Sequence, residues 1–294
     1  MTTPIRPITG SPTVLVASHE RGLAERLAEL WSYRHLVGNL VLRDLKVRYK
    51  NSVLGLVWSL AGPLLMMLVF TFVFDYLQHS AIPHFAVFVL VGILPWNWFN
   101  AAVRGGLYSI VHNAPLINKV YFPREILPIS AVLSELVNFL FAMPVLLVML
   151  FVNHIPITGH LAWLPVIILI QAAFTLGAVF FLSTANVYYR DTGMIMDVVL
   201  LAWFFMTPII YDIHQLSAST VPLVGMNGER FMYWVNPMAS LVASYRVIIY
   251  GSPLGPPTAP DLLYLLRTAL TAVVVLVVGY AVFIRHSGQF GEEV

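Results

Sequence analysis

The chain has no cysteine among its 294 residues, which removes disulfides, thiolate nucleophiles, iron–sulfur clusters and cysteine-ligated zinc together. It is also poor in charge. Only 10% of residues are Asp, Glu, Lys or Arg, against about 25% in a typical soluble domain. There are three lysines, Lys46, Lys50 and Lys119, and none follows a glycine at the spacing of the phosphate loop G-x-x-x-x-G-K-[ST]. The usual ATP-hydrolysing machinery is therefore not expected in this chain. D-x-D, H-E-x-x-H and G-x-S-x-G are missing as well, so a polyprenyl-dependent membrane transferase would lack its customary acids, metal ligands or nucleophile. A net charge of +2 is too small to point to nucleic acid. The histidine pairs His79/His84 and His154/His160 have no carboxylate or cysteine close by in sequence, and no metal site is expected from them.

What the chain has in excess is apolar surface. Hydrophobic residues make up 59% of it and the mean hydropathy is +0.81. They fall in charge-free runs of the length a bilayer demands, about 20 residues. The expected class is an all-α polytopic membrane protein. The first 20 residues, broken by Pro4, Pro7 and Pro12, read as a flexible tail without the basic-then-apolar order of a cleavable signal peptide. Residues 21–50 read as an amphipathic interface helix, with Leu23, Leu27, Leu30, Leu36, Leu40 and Leu45 at helical spacing opposite Arg34, Arg43, Asp44, Lys46 and Arg48. The transmembrane domain, 51–284, then divides into spans at about 51–74, 85–103, 126–152, 161–187, 193–211 and 262–284. Pro63 predicts a kink in the first span. Pro95 to Trp98 marks an interfacial belt or a broken helix in the second. The stretch 231–250, short and polar, reads as re-entrant or lying at the outer surface, and a reading of it as a seventh span also stands. Residues 285–294 form a C-terminal tail.

Lysine and arginine are divided unevenly by this arrangement. With six spans, 13 of the 16 fall on the side of the two termini, and only Arg230, Arg246 and Arg267 fall on the other. Positive charge is retained on the cytoplasmic side, so both termini are expected there.

Four motifs then carry a resemblance: RHLVGNLVLRDLKVRYKNSVLGLVWSLAGPLL (Arg34 to Leu65), NKVYFPREILPIS (Asn118 to Ser130), NVYYRD (Asn186 to Asp191) and WVNPM (Trp234 to Met238). In this order the chain resembles the membrane subunit of ABC type-2 polysaccharide exporters, which move O-antigen, capsule or teichoic acid precursors. The resemblance implies six transmembrane helices, a cytoplasmic amphipathic helix before the first, and two re-entrant helices between the fifth and sixth. It implies a homodimer bound to two copies of a separate ATPase in the bacterial inner membrane. The substrate would be a glycan on a polyprenyl pyrophosphate lipid. No cofactor is expected on this chain, ATP and Mg²⁺ belonging to the partner. A teichoic acid exporter permease and an ABC type-2 drug or small-lipid exporter are the neighbouring alternatives.

Candidate functional residues follow. Asn118, Lys119, Tyr121, Phe122, Pro123, Arg124 and Glu125 combine charge, aromatic anchors and a rigid corner. They read as an ordinary positive-inside loop or, with the resemblance, as the element that contacts the ATPase. Arg43, Lys46, Arg48 and Lys50 can bind lipid headgroups, at about 1 kcal/mol per charge near an anionic leaflet, or a substrate pyrophosphate. Glu135 lies inside the third span, where an ionised carboxylate costs about 2.5 to 3.5 kcal/mol. An ion pair with Arg104, Arg124 or Arg190 is expected, with protonation as the other possibility. Phe70, Phe74, Trp96, Trp98, Trp203, Tyr233, Trp234 and Tyr245 are candidates for channel or gate aromatics, against the plain reading of interfacial belt and lipid-facing rings.

Overall fold

The structure is a computed structural model that describes residues 23–50, 57–221, 225–253 and 255–293. The expected tail at 1–20 and the beginning of the first span, 51–56, lie outside these residues. Helix dominates. Among the described residues, five helical stretches are long and apolar enough to cross a membrane: Leu60–Leu77, Phe85–Leu107, Ile126–Val152, Gly159–Tyr188 and Leu262–Ser287.

The segment expected as one interface helix is two, α1 (Leu23–Ser32) and α2 (Arg34–Tyr49), separated at Tyr33. The apolar side of α2 is spent on protein. Leu40 is buried, and with Leu36 and Val37 it closes a cluster containing Ile110, Phe122, Ile126, Phe180, Phe283 and Phe290. Helix α3 (Val57–Phe70) runs on through Pro63 and widens into a π-helix, Thr71–Leu77. It is the least buried of the long helices.

Helix α4 (Phe85–Leu107) is the centre of the bundle, with 78% of its apolar window buried. Against the expectation of a belt or a break at Pro95 to Trp98, it is continuous. Proline has no N–H for the helical ladder. Here the fully buried Gln171 donates its side-chain N–H to the Pro95 carbonyl at 2.8 Å, tying the proline turn to a neighbouring helix. Two single turns follow, α5 (Ser109–His112) and α6 (Ala114–Ile117), then α7 (Ile126–Val152). Helix α8 (Leu164–Tyr188) is entered through a short 3₁₀ turn, Gly159–Trp163.

Helices α8 and α12 (Leu262–Ser287) lie side by side and parallel. Phe180 meets Tyr280 and Phe283, and Tyr188 meets His286. Gly177 and Gly279 let their backbones touch, since a Cβ at either would overlap the opposing main chain. Small residues at such crossings are how helices gain close packing when lipid gives no hydrophobic drive. Because α8 and α12 run the same way, the chain between them must return across the bundle. That return is α9 (Thr192–Met206), 15 residues long. At 1.5 Å per residue it covers roughly 22 Å, short of the ~30 Å apolar core. The fifth expected span, 193–211, is thus a short helix continued by bent chain.

Between α9 and α12 lie a short antiparallel pairing, Thr220–Val221 with Met226–Asn227, and two helices, α10 (Gly228–Val235) and α11 (Pro237–Ile249). They form a hairpin whose tip, Asn236, reaches the last turn of α9, while the far end of α11 returns to the 78–84 loop through the bond of Tyr250 Oη to the Pro83 carbonyl, 2.6 Å. The C-terminal segment is docked as well. Phe290, in the final turn α13 (Phe290–Glu293), is fully buried against Phe283.

Candidate functional site

The fold has a basic end, where α1, α2, residues 108–125 and α13 meet, and a hairpin end formed by α10 and α11. At the basic end, Phe122 is buried in the cluster around Leu40 and Ile126 and fastens the 118–125 turn from within. Glu125 is also buried and forms an ion pair with Arg26 of α1 at 3.9 Å. Asn118, Lys119 and Tyr121 are exposed, and Tyr121 is 79% accessible. Pro123 and Arg124 are half-buried. Burial holds the Arg124 guanidinium below its ordinary pKa, against the opposing pull of Glu125 and Tyr121. Tyr121, Phe122, Pro123, Arg124 and Glu125, with Arg26, Glu29 and Ser287, enclose a recess of about 400 Å³. The seven candidates therefore divide: Phe122 and Glu125 anchor, while Lys119 and Tyr121 project.

The four basic candidates on α2 and at its C-cap divide too. Arg43 bonds Asp44 at 2.9 Å and donates to Asn113 Oδ1 at 3.1 Å. Arg48 is committed to Glu135, donating to Oε2 at 2.9 Å and forming a second bond to Oε1. Lys46 and Lys50 remain exposed beside an open recess shared with Asn39 and Val47.

The pairing of Glu135 corrects the expected partner. Its carboxylate, buried in α7, meets Arg48 from α2 rather than Arg104, Arg124 or Arg190, and also accepts from Asn138 at 3.0 Å. Helix α2 rises alongside α7, which the spacing along the chain does not disclose. Arg104 instead pairs with Asp197 at 2.5 Å, joining α4 to α9.

The aromatic candidates separate by burial. Trp96, Trp98 and Tyr245 are 2%, 2% and 1% accessible and pack inside the bundle. Trp96 contacts Phe99, Trp203 and Phe204, Trp98 stacks on Phe139, and Tyr245 meets Phe139 edge-on. Phe70, Phe74 and Trp203 are half-buried, Phe70 stacking on Phe204 of α9. Tyr233 stacks on Tyr264 at 4.3 Å, and Trp234 is 51% exposed with Arg267 over its ring.

Two residues at the hairpin end exceed what the sequence reading gave them. Asn236 caps α11 by accepting from the Ala239 N–H, accepts Trp203 Nε1–H at 2.8 Å, and donates to the Met206 carbonyl and Thr207 Oγ1. It thereby joins the hairpin tip to the end of α9. The signal was present, since Asn before Pro starts a helix. Arg246, expected as one of three outer charges, is 6% accessible. Its guanidinium lies 3.6 Å above the Phe88 ring and donates to the Ile209 carbonyl at 3.0 Å. No local pattern reveals that Gly92 of α4 leaves the room for it.

With this geometry in view, residues 35–250 match the ABC-2 type transporter family. The chain belongs to that family. This ABC-2 chain is 36% identical over 266 residues to an O-antigen export system permease protein, RfbA, from Myxococcus xanthus, an alignment covering 90% of this chain and 98% of the relative. It is 33% identical to an RfbA of Klebsiella pneumoniae over 85% of this chain and 91% of the relative. It is 24% identical to the Escherichia coli polysialic acid transport protein KpsM over 60% of this chain and 70% of that one. The ABC-2 chain is accordingly a multi-pass membrane protein and a transporter membrane subunit, and its family implies partnership with a separate ABC ATPase.

Proposed function

We propose that the chain is the permease of an exporter that carries a polysaccharide, O-antigen-like and linked to polyprenyl pyrophosphate, across the bacterial inner membrane. The observation that carries this reading is the likeness to an O-antigen export permease along nearly the whole chain. Two copies of the permease form the channel, and two ATPase subunits, holding ATP and Mg²⁺, drive it. The parallel course of α8 and α12 supports six crossings, with α9 and the bent residues after it making the fifth. The 13-to-3 division of basic residues supports a cytoplasmic basic end, and α10 and α11 then form a re-entrant pair at the outer face.

On this reading the 118–125 turn receives the ATPase. Its inner residues, Phe122 and Glu125, are fixed to the ends of α7 and α1, so a push on Lys119 or Tyr121 is transmitted to the spans rather than lost in a loose loop. The exposed Lys46 and Lys50 suit anionic headgroups or the substrate pyrophosphate. Rings on half-buried positions such as Phe70 and Phe74 suit a sliding glycan, because stacking on sugar C–H faces does not demand one sequence.

The test is deletion of the gene with complementation by wild type, Arg124→Ala and Glu125→Ala. Loss of surface glycan with accumulation of full-length lipid-linked polymer inside is expected, with both variants failing to restore export. A polymer that is never made, or is made short, would move the protein from export to synthesis.

A further inference from the structure

The hairpin end contains a recess of about 410 Å³ that the transport reading leaves unused, within the size range of small-ligand sites, roughly 300–1,000 Å³. One wall is the stacked pair Tyr233 and Tyr264, from α10 and α12. Around it stand Asp212, Glu229 and Asp261, and the buried Arg246 lines it too. Each of the three carboxylates is locally held. Asp212 Oδ1 accepts from the His214 N–H, Asp261 Oδ1 from the Leu263 and Tyr264 N–H groups, and Glu229 Oε1 lies 3.0 Å from His214 Nδ1. Arg246 spends one nitrogen on the Ile209 carbonyl, but its Nε is buried with no partner.

This chemistry selects a ligand. Fixed carboxylates accept from hydroxyls, an aromatic wall receives an apolar C–H face, and the guanidinium of Arg246 at the lining offers donors to a ring or hydroxyl oxygen. Three acidic side chains against one arginine disfavour a polyanion. We propose that this recess binds one uncharged sugar ring of a glycan from the outer side. This assignment rests on the reading of the protein as a glycan exporter. Binding here would hold an emerging chain at the exit and disfavour its return.

The test uses the permease–ATPase complex in nanodiscs and, as probe, the lipid-free repeat oligosaccharide released from the host's own surface glycan, followed by saturation-transfer NMR. The expected result is saturable binding that weakens at least tenfold in Tyr264→Ala and is retained in Tyr264→Phe. Should Tyr264→Ala fail to assemble with the ATPase, Ala243→Leu fills the recess without removing a hydrogen bond and is expected to abolish binding. Equal binding by wild type and Ala243→Leu, no binding by wild type, or preference for an acidic trisaccharide over the host repeat overturns the site. Failure of the export reading is distinguishable, because it appears as surface glycan persisting after gene deletion.

Discussion

The pair Arg48–Glu135 allows an asymmetric prediction, because its two members are buried to different depths. The Glu135 side chain is 7% accessible and that of Arg48 is 49% accessible. Breaking a fully buried ion pair costs about 3–5 kcal/mol, chiefly through the charge left unpaired, whereas exposed pairs are worth about 0–1 kcal/mol. In Arg48→Ala the stranded group is the buried carboxylate, which keeps its bond from Asn138. The expected destabilisation is about 2–3 kcal/mol. In Glu135→Gln the stranded group is a guanidinium that can turn to water, and the buried amide still offers Arg48 an oxygen, so about 1 kcal/mol is expected. The double variant should recover part of the sum, with a coupling of about 1–2 kcal/mol. Unfolding of the four proteins in detergent, followed by fluorescence against increasing denaturant, gives these values. If Glu135→Gln costs as much as Arg48→Ala, or the coupling is zero within error, the attachment of α2 to α7 through this pair is refuted.

Two further outcomes follow from the packing. Gly279→Val places a branched side chain where α12 touches the Gly177 backbone; loss of folded protein is expected in size-exclusion profiles, by more than about 3 kcal/mol, while the exposed Val277→Ala in the same helix stays near wild type. Asn236→Ala removes bonds to Trp203, Met206, Thr207 and Ala239 together; about 2–4 kcal/mol of destabilisation is expected, with Asn236→Asp milder because it retains the acceptor for the Ala239 and Trp203 N–H groups, and thermal unfolding of the purified variants decides it.

The order and approximate limits of five long apolar helices were legible in the sequence because a bilayer imposes a length that composition reports directly. The polar 118–125 turn was legible as well, since Pro123 acts locally on the backbone, whereas the helix start at Asn236–Pro237 was signalled by residues that the reading of 231–250 did not use. The placement of Trp96 and Trp98 was not. Both belts and cores are rich in tryptophan, and only the position of α4 at the centre of the bundle turned these two inward. The partner of Glu135 was equally hidden, since Arg48 lies 87 residues away on a helix whose apolar residues suit lipid and protein alike. Hydropathy therefore fixes which segments leave water, a property of each segment alone. Which faces meet, and so which charges pair and which rings stay free for a substrate, depends on distances between helices that only the tertiary structure sets.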